Sequence, residues 1–264
     1  MAKIPLELKY ELYEGTVQNH DADIDFINKE YKKTYKRLPL TLREDFGGTA
    51  AMTCDWVKQS KDHLGWAIDL DPEPITYGKK THYAKLNTDQ QSRMKYIEGN
   101  VLAKRDFKAE VVVAFNFSYF IFKNRNTLVE YFKMVREGLD KNGMFFLDIF
   151  GGTEARQELV EETEHENHTY FWDCDKYNPL TEEVMYYIHF QTHEDGVKYE
   201  KVFKYDWRHW SIGEIRDALY DAGFSDVITY WEGTDEDGEG DGEFYRATVE
   251  ENCESWVTYI GALP

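Results

Sequence analysis

Between Leu42 and Ala50 the chain reads Leu-Arg-Glu-Asp-Phe-Gly-Gly-Thr-Ala, which sets two acids and two glycines between an extended apolar run and a helical pattern. Leu38-Pro-Leu-Thr-Leu ahead of it reads as a buried strand, and Ala50, Ala51, Cys54 and Val57 behind it recur at helical spacing. Glu44, Gly47 and Gly48 therefore fall where a strand hands over to a helix. Backbone can approach a ligand closely at such glycines, and the helix N-terminus beyond them favours anionic groups. An ordinary strand-to-helix loop has the same composition, so this segment alone leaves both readings open.

Three further strand tips carry polar groups in the same order. Gly65-Trp-Ala-Ile-Asp-Leu-Asp-Pro is a short apolar strand ending in Asp69, Leu70 and Asp71, about 25 residues after Glu44. An acid there can accept hydrogen bonds from both hydroxyls of a ribose, or it can cap the helix that Pro72 begins. Met94 to Glu98 leads into Gly99, Asn100 and Val101, and Glu110 to Phe115 ends at Asn116. Ligands of open parallel α/β sheets bind along this edge.

The order and spacing of these segments resemble the class I S-adenosylmethionine-dependent methyltransferases, over roughly residues 38–150. The family's first motif is an acid, one residue, then Gly-x-Gly-x-Gly. The matching positions here are Glu44, Phe46, Gly48 and Ala50, with Gly47 between, so two of the three glycines are replaced. The resemblance implies S-adenosylmethionine as cofactor, held by Glu44, Gly47, Gly48, Asp69, Leu70, Asn100, Val101 and Asn116. In it Asp69 takes the ribose, and Asn100 with Val101 takes the adenine. Arg43 offers a fork for the methionine carboxylate, or else pairs with Glu44 or Asp45. The expected fold is α/β: a Rossmann-like, seven-stranded, mostly parallel sheet with helices on both faces, plus an inserted antiparallel β subdomain.

Organisation changes beyond residue 150. Residues 151–168 read as a charged helix with a solvated face. Tyr170 to Asp175, Glu183 to Phe190 and Val197 to Tyr205 then read as strands, rich in aromatic and β-branched residues and separated by Asn178-Pro179 and Asp195-Gly196. Ser211 with Glu214 forms a capping box for a helix that Gly223 ends, and Ser225–Trp231 and Ser255–Ile260 supply the last strands. Three parts follow: an N-terminal helical lid over 1–36, a methyltransferase core over 37–150 and 211–264, and a substrate-side insertion over 151–210.

The acceptor is expected at the fourth strand tip and the insertion. Asn116 and Tyr119 are the catalytic candidates, with Tyr31, Phe117, Trp172, Tyr177 and Trp207 as substrate-binding candidates. Core packing of the same aromatic residues is the competing reading. Leu8, Leu12, Ile24, Ile27, Tyr31 and Tyr35 recur at helix-compatible intervals in the leading segment, interrupted near Gly15 to Asp23. Such helices often cover the cofactor in the family, so the resemblance makes Tyr13, Tyr31 and Tyr35 candidate pocket residues.

Composition narrows the function. A net charge of -19 repels phosphate backbones, so a small-molecule acceptor is expected rather than nucleic acid. No apolar run reaches membrane-spanning length and the N-terminus lacks an apolar signal core, so no membrane partner is expected. Cys54, Cys174 and Cys253 lack metal-ligand spacing and suit a reducing cytoplasm. His165, His168, His189 and His193 lack a completing cysteine or carboxylate for zinc. Asp235 to Glu243 imitates a calcium loop, but Arg246 stands where its last carboxylate belongs, so residues 234–242 read as an acidic connector without metal. The oligomeric state is not indicated. The expected function is in-line methyl transfer to a small-molecule nitrogen or oxygen. Alternatives are a catalytically inactive binding or regulatory protein of the same fold, or a nicotinamide-dependent oxidoreductase.

Overall fold

Val111 to Ala114 and Met144 to Leu147 are fully buried at every position, because alternate side chains enter opposite layers of one sheet. Val111, Val113, Met144 and Phe146 pack with Ile24, Ile27, Tyr31 and Trp56. Val112, Ala114, Phe145 and Leu147 pack with Leu128, Phe132, Ile215 and Leu219 on the other face. Polar groups are thereby pushed to the strand ends.

The computed structural model describes residues 2–234 and 240–264. In chain order the first part contains α1 (Leu6–Val17), α2 (His20–Tyr35), β1 (Thr41–Asp45), α3 (Ala51–Gln59), β2 (Leu64–Asp69), α4 (Pro72–Thr81), α5 (Thr88–Arg93), β3 (Met94–Glu98), β4 (Ala109–Ala114), α6 (Arg125–Gly138) and β5 (Leu139–Gly151). The insertion is β6 (Val160–Glu164), β7 (His168–Asn178), β8 (Glu183–Thr192) and β9 (Lys198–Arg208). The chain closes with α7 (Ile212–Asp221), β10 (Asp226–Thr234), β11 (Gly240–Ala247) and β12 (Trp256–Leu263). The main sheet runs β11-β10-β12-β5-β4-β1-β2-β3, and β6-β7-β8-β9 form a separate antiparallel sheet. Pairs from β3 to β5 are parallel, whereas β12, β10 and β11 are antiparallel.

The expected α/β architecture is present, with four local corrections. The first strand begins at Thr41, not Leu38, and Leu38 and Leu40 are exposed. Residues 151–168 form no helix. They lack an apolar stripe, and β6 satisfies its backbone by pairing with β7 while its five side chains stay exposed. The leading helices break only at Gln18 and Asn19, where the Asn19 carboxamide accepts from the Ala22 N–H to start α2. Gly240–Ala247 adds an eighth strand, so part of the acidic connector belongs to the sheet, and its residues 235–239 lie outside the described residues.

A buried ion pair fixes β1 against α6. Arg43 Nε and Nη2 donate to Asp45 at 2.7 and 2.9 Å, and Tyr131 Oη of α6 donates to the same carboxylate at 3.0 Å. Arg43 is 1% exposed, and a Cβ on Gly138 would stand 2.6 Å from its Nη1. Arg43 is therefore committed to Asp45 and is not free for a ligand carboxylate. Asp45→Ala should lower stability by about 3–5 kcal/mol in urea unfolding, because the guanidinium remains buried without its partner. A loss below about 1 kcal/mol would show that the pair does not anchor the strand.

Candidate active site

The tips of β1, β2, β4 and β5 converge on one edge of the sheet. At β1 the turn uses left-handed backbone at Phe46 (φ 57°), Gly48 (53°) and Ala50 (57°). Phe46 holds this conformation with its ring packed near Phe122 and Tyr131, at 5.9 and 5.6 Å. Its ring thus packs against the core, while Gly47 is buried against Ala67 of β2 and half-buried Gly48 has open space beside it. The Gly48 N–H donates to Asp69 Oδ2 at 2.7 Å, and Asp69 Oδ1 accepts from the Asp71 N–H at 2.8 Å. Asp71 itself caps α4 by accepting from the Glu73 N–H. Glu44 accepts from the N–H and the hydroxyl of Thr53, and burial pushes its carboxyl up to about 7.

At β4 the chain again turns left-handed, at Asn116 (φ 56°) and Phe117 (54°). Both amides then aim at β5: the Asn116 N–H donates to Asp148 Oδ2 at 2.7 Å and the Phe117 N–H to Oδ1 at 2.9 Å. Asp148 is 8% exposed, and burial pushes its carboxyl up to about 8 in spite of these bonds.

Two cavities open on these tips. A cleft of about 380 Å³ runs past Glu44, Gly47, Gly48 and Asp69, with Tyr10 and Tyr13 of α1 in its wall. A second cavity of about 500 Å³ lies between β5 and the inserted sheet, lined by Phe117, Asp148, Phe150 and Trp172. Tyr13, Phe115, Asn116, Tyr205 and Trp207 line both, so occupants of the two would meet there. Helix α1 is held over the cleft by polar ties: Glu73 accepts from Lys9 Nζ at 2.6 Å and Tyr10 Oη at 3.0 Å. Glu14 accepts from Thr49 Oγ1 at 2.5 Å and lies 2.8 Å from His82 Nε2. Gln18, in the break between α1 and α2, also lines the cleft, and its Oε1 is buried with no hydrogen-bond partner among the described residues. A ligand donor reaching it would relieve a cost of about 1–3 kcal/mol.

The expected residues divide. Glu44, Gly47, Gly48, Asp69 and Asn116 share the cleft, and Asn116, Phe117, Trp172 and Trp207 share the second cavity. Tyr31 does not reach either: it is fully buried on the opposite face of the sheet and donates to the Asn142 carbonyl at 2.7 Å. Tyr119 is also fully buried, its hydroxyl spent on the Asp148 carbonyl at 2.9 Å. Tyr177 lies outside both linings, near His209. Leu70 is 68% exposed and Val101 is buried in the core. Asn100 turns its Oδ1 back to the Leu102 N–H at 2.9 Å, and none of these three lines the cleft. Among the described residues no group of His, Cys, Asp or Glu is arranged to hold a metal, and no helix is long and apolar enough to cross a membrane. His189 lies 3.0 Å from Asp173, and His168 lies 2.8 Å from Thr16. Asp148, Asp23 and Gln18 were missed. Only Asp148 had a visible signal, as an acid inside the apolar run Phe145 to Phe150.

No protein-family model and no curated protein sequence matches the chain. Solved structures do. An S-adenosylmethionine-dependent methyltransferase from Clostridium acetobutylicum is 16% identical with a TM-score of 0.70, over 96% of this chain and 97% of its own. A sugar N-methyltransferase from Streptoalloteichus is 11% identical with a TM-score of 0.64, over 100% of this chain and 95% of its own. An amino pentose methyltransferase from Micromonospora echinaspora, solved with S-adenosylmethionine bound, is 9% identical with a TM-score of 0.67 over the whole of both chains. The fold is that of the class I S-adenosylmethionine-dependent methyltransferases.

The two raised carboxyls set a pH dependence. A group whose folded pKa lies above its ordinary value contributes stability that is complete below about pH 4 and is lost as pH rises through the folded value. For Glu44 and Asp148 that loss runs up to about 7 and about 8. The ligand-free protein should therefore lose about 3–6 kcal/mol between pH 5.5 and 8.5 in guanidinium unfolding, and Glu44→Gln should lose less over the same range. Stability that rises with pH across this window would contradict the assignment.

Proposed function

We propose that the protein transfers a methyl group from S-adenosylmethionine to a nitrogen or oxygen of a small molecule. The observation that carries this reading is the shared wall: a cleft on the nucleotide-binding edge of the sheet and a largely aromatic cavity meet at Asn116. The residues of the cleft fit the donor. Asp69 keeps lone pairs for ribose hydroxyls beyond the N–H bonds it already accepts, Gly47 and Gly48 allow close backbone approach, and the unpaired Gln18 oxygen suits the methionine ammonium. When bound, S-adenosylmethionine supplies a methyl group already activated by its positively charged sulfur.

The chain's own contribution is positional. Tyr13, Tyr205 and Trp207 wall the junction against water, while the rigid turn at Asn116 holds the acceptor against the donor cleft. Small-molecule acceptors are supported by the size of the cavity and by the sugar and amino pentose methyltransferases that share the fold.

Calorimetric titration with S-adenosylmethionine, S-adenosylhomocysteine, NAD and NADP tests the reading. Both adenosyl ligands are expected to bind and both nicotinamide nucleotides to give no signal. Asp69→Ala should weaken S-adenosylhomocysteine by about 2–4 kcal/mol in a folded protein, because the ribose hydroxyls lose their acceptor. Nicotinamide binding would instead support an oxidoreductase. Donor binding without transfer to any amine or alcohol would support a protein that has kept the fold and lost the chemistry.

A further inference from the structure

Resting on the methyltransferase reading, we propose that the acceptor is a cationic amine bound as its ammonium, and that Asp148 takes the proton that frees its nitrogen.

Acids line the acceptor cavity and no basic side chain balances them among the described residues: Asp23, Asp148, Glu154, Glu161 and Glu232 stand against no Lys, Arg or His. An anionic acceptor, such as a phosphorylated sugar or a carboxylate, would be repelled, whereas an ammonium is drawn in. Phe117, Phe150 and Trp172 add aromatic surface that suits a cation and its methylated product. An alcohol would also need stabilisation of a developing alkoxide, and this cavity offers it no cation.

Among these acids Asp148 is set apart by position. It is the most deeply buried, and the amides of Asn116 and Phe117 clamp its two oxygens, leaving each a further lone pair. Asn116 lines both cavities, so the carboxylate stands one hydrogen bond from the point where the methyl group must cross. Asp23 is occupied by Tyr259 Oη at 2.5 Å, and Tyr259 stands opposite Asp148 in the β5–β12 ladder. Glu161 is exposed, while Glu154 and Glu232 are half-buried.

An ammonium has no lone pair, so it must lose a proton before it can be methylated. The N–H bond breaks with its electron pair left on nitrogen, and the proton passes to a carboxylate oxygen of Asp148. After the nitrogen has gained the methyl group, that proton leaves to solvent. Burial raises the Asp148 carboxyl above an ordinary carboxylate near 4, up to about 8 before the ammonium enters, so once the ammonium has displaced its proton the carboxylate is still a better acceptor than an exposed one. The groups facing it keep it there: Asp23 from α2 is negative, and Tyr13, Tyr119 and Tyr259 from α1, the turn after β4, and β12 bring no cation.

The test uses cyclohexylamine, cyclohexanol and cyclohexanecarboxylate as probes of one shape, titrated calorimetrically into the protein saturated with S-adenosylhomocysteine. Runs at pH 7 in buffers of different ionisation enthalpy count the protons released. The amine is expected to bind at least about 10-fold tighter than the other two and to release close to one proton, because Asp148 enters protonated and ends paired with a cation. Asp148→Asn should abolish the release and weaken the amine by about 10-fold or more, with S-adenosylhomocysteine affinity kept within about two-fold. An amine that binds no better than the alcohol overturns the acceptor class. Amine binding without proton release in the unaltered protein, or release that survives Asp148→Asn, overturns the role of Asp148. Failure of S-adenosylhomocysteine to bind at all would instead overturn the methyltransferase reading.

Discussion

The two central parallel strands are buried on both faces, and this constraint organises the rest of the molecule. Val111 to Ala114 and Met144 to Leu147 leave no side of the sheet where a charge could meet water. A polar group inside must therefore be paired, as Arg43 is with Asp45, or stand at a strand tip where backbone amides can reach it. Asp69 takes the second course, and Asp148 lies within β5 beside the tip of β4; each accepts from two N–H groups of neighbouring turns. The left-handed turns at Phe46, Gly48, Asn116 and Phe117 are what aim those amides. Their strain, about 1–3 kcal/mol per residue for the non-glycine positions, is sustained by the packing beneath them.

Much of this was legible in the sequence because strand tips are local features. The acid and glycines at 44–48, Asp69 after its apolar strand, and the capping box at Ser211 and Glu214 each sit within a few residues of the element they define. Residues whose role depends on packing across the sheet were not legible. Helical spacing cannot say which face of a leading helix meets the cleft: Tyr13 turned to it, while Tyr31 turned to the core. Asp23 and Gln18 gain their places only because α2 lies on one face of the sheet and α1 crosses toward the inserted one. The charged stretch 151–168 misled for a related reason, since an exposed edge strand needs no alternation of apolar residues when its partner supplies the hydrogen bonds.

The inserted sheet and α1 together wall the junction of the two cavities. Leu12 of α1 packs with Ile188 and Phe190 of β8, and Tyr13 lies 4.6 Å from the Phe203 ring. The same helix is tied to α4 through Glu73 and to the first turn through Glu14. One helix, through Tyr13, therefore contributes to the walls of both cavities.

On the proposed reading one ligand seats on the β1, β2 and β4 tips and touches the second cavity only at Asn116 and its neighbours. An amide NMR titration with S-adenosylhomocysteine tests it most directly. The expected result is saturable shifts at Gly47, Gly48, Asp69 and Asn116, with β6 and the outer half of β7 unchanged. Shifts confined to Glu154 through Glu164, with Gly48 and Asp69 unmoved, would contradict it.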